Sequence, residues 1–421
     1  MPIHKPSGDD RKSSISASPS FSWRTIFISA FGPSILFGLG QGAILPVIAL
    51  AATALGASHA ISGLIVGLIG LGLLLNNIPA ALLIGRFGER RALVGTAVFS
   101  IVGLFLCLRA PNLLVLGTGV LMQGMSLSVF NLARQTYLMQ AVPVSLRGRA
   151  FSIMGGTQRI GVFAGPFIAA GAISYVGLSG AWWTSIVALI FTGVLCQSVP
   201  DLPSHRSTQN DTSSESPSDV PDDKMGLASM WASTRTHYRI LLTLGLAVMI
   251  LTALRAARPI TVPLWAEHIG ISPAVTVLIF GFASAIDMLV FYPAGKIMDE
   301  YGRLWIAIPC VLLLGLSFML MPATHSVAAF VATAALMGLG NGIGSGIIMT
   351  LGADVSPRAG RISFLGIWRV VADSGQTLGP LFMSAITAIL SLGASLFMVG
   401  TLGVVSAWIF IRQRLRLQKH Q

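Results

Sequence analysis

The sequence contains few charged residues and few cysteines. Charged residues make up 10% of the 421 residues, whereas hydrophobic residues make up 54%. Soluble domains carry about 25% charged residues, so this composition excludes an ordinary soluble protein. The three cysteines, Cys107, Cys196 and Cys310, fall in three separate apolar segments, which argues against a disulfide framework or a metal site. No metal or other cofactor is therefore expected.

Motifs of enzymes and of ATP-driven pumps are also missing from the sequence. It contains no Gly-x-x-x-x-Gly-Lys-Ser/Thr loop for nucleotide phosphates, no His-Glu-x-x-His zinc motif and no Gly-x-Ser-x-Gly nucleophile turn. We therefore expect neither a primary ATP-driven pump nor an enzyme.

Long apolar segments are abundant. A membrane-spanning helix needs about 20 apolar residues. The sequence therefore predicts an all-α polytopic membrane protein with twelve transmembrane helices, at residues 24–50, 60–85, 92–108, 112–139, 151–175, 180–199, 239–265, 271–295, 304–323, 326–352, 364–388 and 394–411.

The basic residues indicate the topology. If the N-terminus lies inside, 21 of the 27 Lys and Arg residues fall in the terminal tails and the even-numbered loops. The positive-inside rule then places both termini in the cytoplasm, and we expect a multi-pass protein of the plasma (cell inner) membrane. The net charge of +12 thus predicts contact with anionic membrane lipids and no binding of nucleic acid.

Two polar regions divide the chain. Residues 1–22 are predicted to be a disordered cytoplasmic tail, and the Ser-, Pro- and Asp-rich segment 201–238 a cytoplasmic linker. They leave two six-helix bundles, at 23–200 and 239–412, followed by a basic tail at 413–421.

The second half repeats the first at an offset of 214 residues. Pro79 recurs as Pro293 and Gly88 as Gly302, and the run Gly161-x-x-x-Gly165-Pro166 recurs as Gly375-x-x-x-Gly379-Pro380. Two related halves in a membrane are typical of secondary transporters, whose substrate site lies near the midplane between them.

The loop after predicted helix 2 contains Arg86-Phe-Gly88-Glu-Arg90, and the loop after helix 8 contains Asp299-Glu-Tyr-Gly302-Arg303. Both loops resemble the Gly-x-Leu-x-Asp-Arg-x-Gly-Arg-Arg loop of the major facilitator superfamily. The resemblance implies that fold and a gating role for these six numbered residues. It also implies a latch between Asp299 and the start of helix 5, around Arg147 and Arg149. A basic turn without a gating role is the alternative.

The run Gly161-x-x-x-Gly165-Pro166 on helix 5 is similar to the antiporter motif of the same family. The resemblance implies a seal at the outer end of the molecule and favours export. Its repeat at Gly375, Gly379 and Pro380 leaves ordinary packing of small residues as the alternative.

Two acidic residues, Asp287 and Asp373, lie within predicted helices. A charge in hydrocarbon is costly unless it has a partner or faces a cavity, so both are candidates for proton coupling. Asp287 has no basic neighbour on its own helix face and is the first choice. Asp373 could form a charge pair with Arg159, its counterpart in the repeat, or a permanent salt bridge with Arg369.

Polar residues in the helices are candidates for substrate binding. Gln41 and Arg255 are equivalent in the repeat and lie on helices that line the cavity of the family. Arg258 could instead extend outward toward Glu267. Five arginines against two aspartates within the helices suggest an anionic or amphipathic substrate. The remaining candidates are the uncharged residues Asn76, Asn77, Gln158, Asn341 and Gln376.

These features together predict a monomeric transporter that exports a small organic compound, a drug or metabolite, in exchange for protons by alternating access. One alternative is proton-coupled uptake of a sugar, osmolyte or organic acid. A further alternative is a receptor or assembly factor on a transporter fold that moves no substrate.

Overall fold

The computed structural model describes residues 31–142, 146–198, 238–344, 346–357 and 361–418. Within these ranges the chain is helical and has no strand, which confirms the predicted all-α class. The predicted tail at 1–22 and almost all of the linker at 201–238 lie outside the described residues. The helices are α1 Gly32–Ala54, α2 His59–Phe87, α3 Glu89–Leu108, α4 Leu113–Ala141, α5 Arg147–Val176, α6 Ser179–Gln197, α7 Leu246–His268, α8 Pro273–Tyr301, α9 Arg303–Leu320, α10 Val327–Ile343, α11 Arg361–Ile389 and α12 Leu392–Gln418.

Among the described residues, eleven helical segments are long and apolar enough to cross a membrane. The α11 helix is not in this set, although its 29 residues exceed the length needed. It carries Arg369, Asp373 and Gln376. The twelve helices follow the predicted segments in order.

Local sequence signals set several helix ends. Ser58, Asn112 and Ser326 precede α2, α4 and α10, and each side chain accepts a hydrogen bond from a backbone amide of the first turn. Gly88 and Gly302 separate α2 from α3 and α8 from α9, with φ of 79° and 96°. Glycine adopts such angles without steric cost. The two equivalent sharp turns therefore have the same cause.

The α10 helix differs from the prediction of one continuous helix. It ends at Ile343, and a short helix, Ile347–Val355, follows after a break. Gly346 in this break has φ of 82°. A Cβ at Gly344 would lie 2.5 Å from the Nη2 atom of Arg255 and closer still to Sγ of Cys310, so a larger residue there would displace these side chains. The run of glycines from 340 to 346 is the sequence signal for this break.

The two halves repeat the same helix packing. In the first half α1 packs on α5, α2 on α4 and α3 on α6. In the second half α7 packs on α11, α8 on α10 and α9 on α12. The repeat of 214 residues is thus a repeat of tertiary structure.

The halves meet through α2 with α11, α5 with α8 and α1 with α7. Two contacts are equivalent in the repeat: a Cβ at Gly67 would lie 2.9 Å from Cβ of Pro380, and one at Gly281 would lie 3.1 Å from Cβ of Pro166. Both contacts lie in the half of the bundle away from the first turn of α1 and the last turn of α12, which we call the distal end.

At the opposite end, which we call the terminal end, the halves separate. Ile78 and Tyr292 continue the interface faces of α2 and α8 three turns beyond Gly67 and Gly281. Their side chains are 76% and 81% exposed. Cβ atoms at Gly85, two turns beyond Ile78, and at Gly295, about one turn beyond Tyr292, would meet no heavy atom within 4 Å. The two halves therefore make contact at the distal end and part toward the terminal end.

Candidate transport site

A cavity of about 340 Å³ lies between the two halves. It is lined by residues of six interface helices, α1, α2, α5, α7, α8 and α11, together with α4, α10 and the short helix after α10. Its polar and charged residues are Gln41, Gln123, Thr252, Arg255, Arg258, Ser284, Asp287, Asn341 and Gln376. The structure thus brings together four predicted substrate contacts, Gln41, Arg255, Asn341 and Gln376, with the predicted proton carrier Asp287.

Asp287 on α8 binds two arginines. Its Oδ1 atom lies 2.8 Å from Nη1 of Arg159 on α5, and its Oδ2 atom lies 3.3 Å from Nη1 of Arg258 on α7. The Nδ2 atom of Asn341 also donates to Oδ2, at 2.5 Å. Both carboxylate oxygens therefore have cationic partners. Because Arg159 belongs to the first half and Asp287 to the second, one of these ion pairs crosses the interface.

Arg258 does not extend outward toward Glu267. It is 6% exposed and turns into the bundle, where its Nη2 donates to Oγ of Ser284 at 3.0 Å. Its guanidinium also lies over the ring of Phe280, 4.9 Å from the centroid. Two charges attract more strongly in the low-dielectric interior than at the surface, which explains why Arg258 pairs with buried Asp287 and not with exposed Glu267.

Arg255 faces the same cavity but has no carboxylate partner among the described residues. Its Nη2 donates to the backbone oxygen of Asn341 at 3.2 Å. Its Nε atom is buried and has no hydrogen-bond partner in the described part of the chain. A buried polar group of this kind costs free energy unless a ligand or water satisfies it. Arg255 is therefore the least compensated cation at the cavity.

Arg159 does not pair with Asp373. The partner of Asp373 is Arg369 on its own helix, with Nε 3.6 Å from Oδ2. Arg159 and Asp373 occupy equivalent positions of the two halves. Equivalent residues can contact each other only where they lie close to the pseudo-two-fold axis that relates the halves. Asp373 does not line the central cavity, whereas Asp287 does. Of the two pairings that the sequence left open for Asp373, the structure shows the salt bridge with Arg369.

A second cavity of about 340 Å³ is lined by both Arg159 and Asp287, and Asp287 also lines the central cavity. Gln158 lines this cavity and not the central one. Its Oε1 atom accepts a hydrogen bond of 2.8 Å from Nη2 of Arg134 on α4. Asp287 therefore borders both cavities, and its partner Arg159 borders only the second.

Asn76 and Asn77 lie outside both cavities. The Nδ2 atom of Asn76 donates to the backbone oxygen of Met125 at 2.9 Å, and Oδ1 of Asn77 accepts from Oγ of Ser128 at 2.9 Å. Both bonds join α2 to α4 within the first half. Asn76 and Asn77 therefore stabilise the packing of α2 on α4 and do not line the cavity proposed for the substrate.

Ser284 is a cavity residue that sequence reasoning missed. It lies three residues before Asp287 on the same face of α8 and contacts Arg258. The spacing from Asp287 is the signal that could have identified it. Gln123 was also missed; its Oε1 and Nε2 atoms bond the hydroxyl and backbone oxygen of Ser100 at 2.6 and 2.8 Å.

The two Gly-x-x-x-Gly-Pro runs have a divided role. Cβ atoms at Gly161 and Gly165 would clash with the backbone of α1, and those at Gly375 and Gly379 with the backbone of α7. These glycines therefore allow close packing inside each half. Pro166 and Pro380 instead contact the opposite half, at Gly281 and Gly67.

The predicted latch at the terminal end is untested. The side chains of Arg147 and Arg149 lie outside the described residues. Among the described residues, Nε of Arg303 forms an ion pair with Oδ2 of Asp354 at 2.8 Å, and none is found for Asp299. Arg86 lies over the ring of Phe87, 5.5 Å from the centroid. Glu89, beside Arg90, accepts a hydrogen bond of 2.8 Å from Gln140.

The structure has the features of a secondary transporter. These are two related helical bundles, helices long enough to span a membrane, and a central cavity with embedded charges. The sequence matches the Major Facilitator Superfamily family model over residues 30–290 and 244–421. The chain belongs to this superfamily and is a multi-pass membrane transporter. No curated protein matches the chain in sequence.

Solved structures share the fold at low sequence identity. A nucleoside transporter is 12% identical, with a TM-score of 0.73, over 92% of this chain and 99% of that chain. A POT family transporter in complex with 5-aminolevulinic acid is 13% identical, with a TM-score of 0.74, over 92% and 95%. A D-xylose-proton symporter is 16% identical, with a TM-score of 0.68, over 92% and 97%. These transporters are described with different substrates, so the shared fold does not indicate what this chain transports. The substrate class must be inferred from the residues of its own cavity.

Proposed function

We propose that the chain transports a small organic anion across the plasma membrane, coupled to protons, by alternating access. The observation that carries this proposal is the group formed by Asp287 with Arg159 and Arg258. Asp287 and Arg258 line the same cavity as Arg255, and Arg159 lines the adjoining one. No catalytic step and no cofactor is part of the proposal.

The charges around Asp287 support an anionic substrate. Two guanidinium groups, those of Arg159 and Arg258, pair with one carboxylate, and a third, that of Arg255, lines the same cavity as that carboxylate. An uncompensated charge inside the membrane is costly, so an anion that enters the cavity gains by neutralising the excess. The cavity of about 340 Å³ is near the lower end of the usual range for ligand pockets, which suits a small molecule.

The same geometry links the anion to a proton. An anion that binds Arg159 or Arg258 competes with Asp287 for those cations. Once released, the Asp287 carboxylate is a buried charge without a partner, which costs several kcal/mol in proteins. Protonation removes this charge. The anion and the proton therefore occupy the site together, which favours transport of both in the same direction.

The arrangement of the halves supports alternating access. They touch at the distal end and separate at the terminal end. The positive-inside rule predicts that the terminal end faces the cytoplasm, so this arrangement corresponds to an inward-facing state. The ion pair of Arg159 with Asp287 holds the halves together beside the cavity. Its release by the anion would free them to move.

Export in exchange for protons is the second candidate. The observation in its favour is the pair of Gly-x-x-x-Gly-Pro runs, whose prolines contact the opposite half at the distal end. In this case the substrate and the proton would occupy the site in turn. Asp373, paired with Arg369 at 3.6 Å, would then be the second candidate for the proton.

The test uses the purified full chain in liposomes that contain a pH-sensitive dye and a panel of radiolabelled organic anions. We expect counterflow of at least one anion and a proton flux in the direction of that anion. Asp287→Asn should abolish the proton flux but retain counterflow, because the competing carboxylate is gone while the arginines remain. Glu267→Gln, a change to an exposed acid at the end of α7, is the matched control and should leave both unchanged.

Other outcomes separate the alternatives. A proton flux opposite to the anion would support export by exchange. Loss of coupling in Asp373→Asn with normal coupling in Asp287→Asn would place the proton on α11. Binding of an anion without counterflow by the unchanged protein would support a receptor that moves no substrate.

A further inference from the structure

A groove of about 450 Å³ lies between α2, α3 and α4 on the side of the first half. It shares no lining residue with the transport cavity. The side chains of Leu83, Phe87 and Phe99 at its edge are 40%, 50% and 39% exposed. Since α2, α3 and α4 are membrane-spanning segments, this groove opens where the helices face lipid.

The interior of the groove has no unsatisfied polar group among the described residues. Asn76 donates to the backbone oxygen of Met125 at 2.9 Å, Thr96 to that of Ala92 at 2.7 Å and Ser126 to that of Met122 at 2.8 Å. The remaining surface is apolar. A hydrocarbon chain therefore fits this interior better than a polar ligand, which would find no free partner.

The groove has its charge at one end. Arg91, Gly95 and Phe99 line it at intervals of four residues and thus lie on one face of α3. Arg91 is exposed and belongs to the first turn of α3, at the membrane surface, whereas Phe99 lies near the middle of the helix. The groove therefore runs from a cation at the membrane surface to an apolar interior, which matches the shape of an anionic lipid.

Gly95 keeps the groove open. A Cβ at this position would meet no heavy atom within 4 Å, although the residue lies within a helix. A side chain at position 95 would consequently start in open space and project into the groove. Glycine is a poor helix former, so its presence here is not explained by the helix itself.

We propose that this groove binds one anionic phospholipid, with the phosphate at Arg91 and one acyl chain along Gly95 and Phe99. Basic groups between transmembrane helices on the cytoplasmic side are suited to anionic headgroups. The lipid would connect α2, α3 and α4 at the terminal end, next to the turn at Gly88. The proposal is independent of the transport substrate and of the coupling ion.

The test is native mass spectrometry of the purified full chain, titrated with phosphatidylglycerol or phosphatidylcholine of the same acyl chains. We expect the first phosphatidylglycerol to bind more tightly than the first phosphatidylcholine. Arg91→Gln should weaken phosphatidylglycerol about fivefold, through the loss of one headgroup contact. Gly95→Leu should weaken both lipids about tenfold, because the side chain fills the space of the acyl chain.

Two variants serve as matched controls. Gly171→Leu changes another exposed helical glycine with open space around it, on α5 and outside the groove. Arg109→Gln removes an exposed arginine at the opposite end of α3. Both should bind lipid as the unchanged protein does.

Three results would overturn the proposal. The first is that the Gly95→Leu and Gly171→Leu variants bind lipid equally well. The second is that the unchanged protein has equal affinity for the two lipids. The third is a dimer that Gly95→Leu abolishes, which would assign the groove to a second copy of the chain. Thermal unfolding of each variant in detergent shows whether a loss of binding reflects misfolding instead of a filled groove.

Discussion

At the scale of single residues, the position of Asp287 between Arg159 and Arg258 sets the charge of the proposed transport site. A carboxylate with two cationic partners is an internal counter-ion for the cavity. An anion that binds Arg159 or Arg258 must compete with the Asp287 carboxylate for these cations. Arg255, which lacks a carboxylate partner among the described residues, offers the first contact without such competition.

This role of Arg255 predicts a specific effect on affinity. Arg255→Gln should raise KM for the anion by about tenfold to a hundredfold, because a hydrogen bond to a charged group contributes about 1.5 to 3 kcal/mol. Arg255→Lys should raise KM less, since it keeps the charge but loses the planar fork of donors. The measurement is initial uptake into liposomes over a range of anion concentrations.

The control for Arg255 is Arg109→Gln, which removes an arginine outside the cavity. If KM were the same for Arg255→Gln, Arg109→Gln and the unchanged protein, Arg255 would not contact the substrate. A fall in kcat with unchanged KM would assign Arg255 to the motion of the helices instead.

At the scale of helices, glycines set how closely α5 approaches α1 and α11 approaches α7. A Cβ at Gly161 would clash with the backbone oxygen of Ile35, and one at Gly375 with that of Met249. Backbone atoms cannot move aside as a flexible side chain can. The close contact of each helix pair therefore depends on the absence of a side chain at these positions.

Substitution of these glycines should destabilise the fold. Gly161→Ala should lower the free energy of unfolding by about 1 to 3 kcal/mol, the usual cost of an added methyl group in a packed core. Gly155→Ala on the same helix is the matched control, because its Cβ would meet no atom within 4 Å. It should be neutral or stabilising, since alanine favours helix over glycine.

Thermal unfolding of both variants in the same detergent measures the difference. Equal melting temperatures would mean that α1 and α5 can separate at no cost, contrary to the packing of the two helices.

At the scale of the whole molecule, equivalent contacts of the two halves close the distal end. Gly67 with Pro380 and Gly281 with Pro166 are the same contact made twice. In an alternating-access cycle both contacts must break when the distal end opens. The small residues at these positions permit a tight contact without bonds that would be costly to break.

A disulfide across the distal end should therefore stop transport. A Cβ at Gly63 would lie 3.7 Å from Cβ of Ser384, which suits the Cβ separation of about 3.8 Å in disulfides. In the Gly63→Cys/Ser384→Cys double variant, oxidation should abolish counterflow and reduction should restore it. The measurement is counterflow before and after each treatment.

The two single variants under oxidation, which retain the buried native cysteines, serve as controls. Full counterflow in a completely crosslinked double variant would mean that the distal end need not open.

Much of the site could be predicted from the sequence because polar residues within long apolar segments are rare and easily recognised. Gln41, Arg255, Asn341, Gln376 and Asp287 were all recognised in this way and do line one cavity. Asn76 and Asn77 were recognised by the same signal but bond α4 instead. Which face of a helix meets the cavity and which meets a neighbouring helix depends on helix rotation, which the composition of a single helix does not specify.

The sequence by itself determined the class of the protein, the number of long helices and the relation of the two halves. These properties follow from the length and apolar character of each segment, because a backbone in lipid must satisfy its hydrogen bonds within helices. Only the tertiary structure decided that Arg159 and Arg258 bind Asp287, that Asp373 binds Arg369, and that α10 breaks beside Arg255. Partner choice among buried charges depends on the depth and rotation of separate helices, and these are fixed only when all the helices pack together.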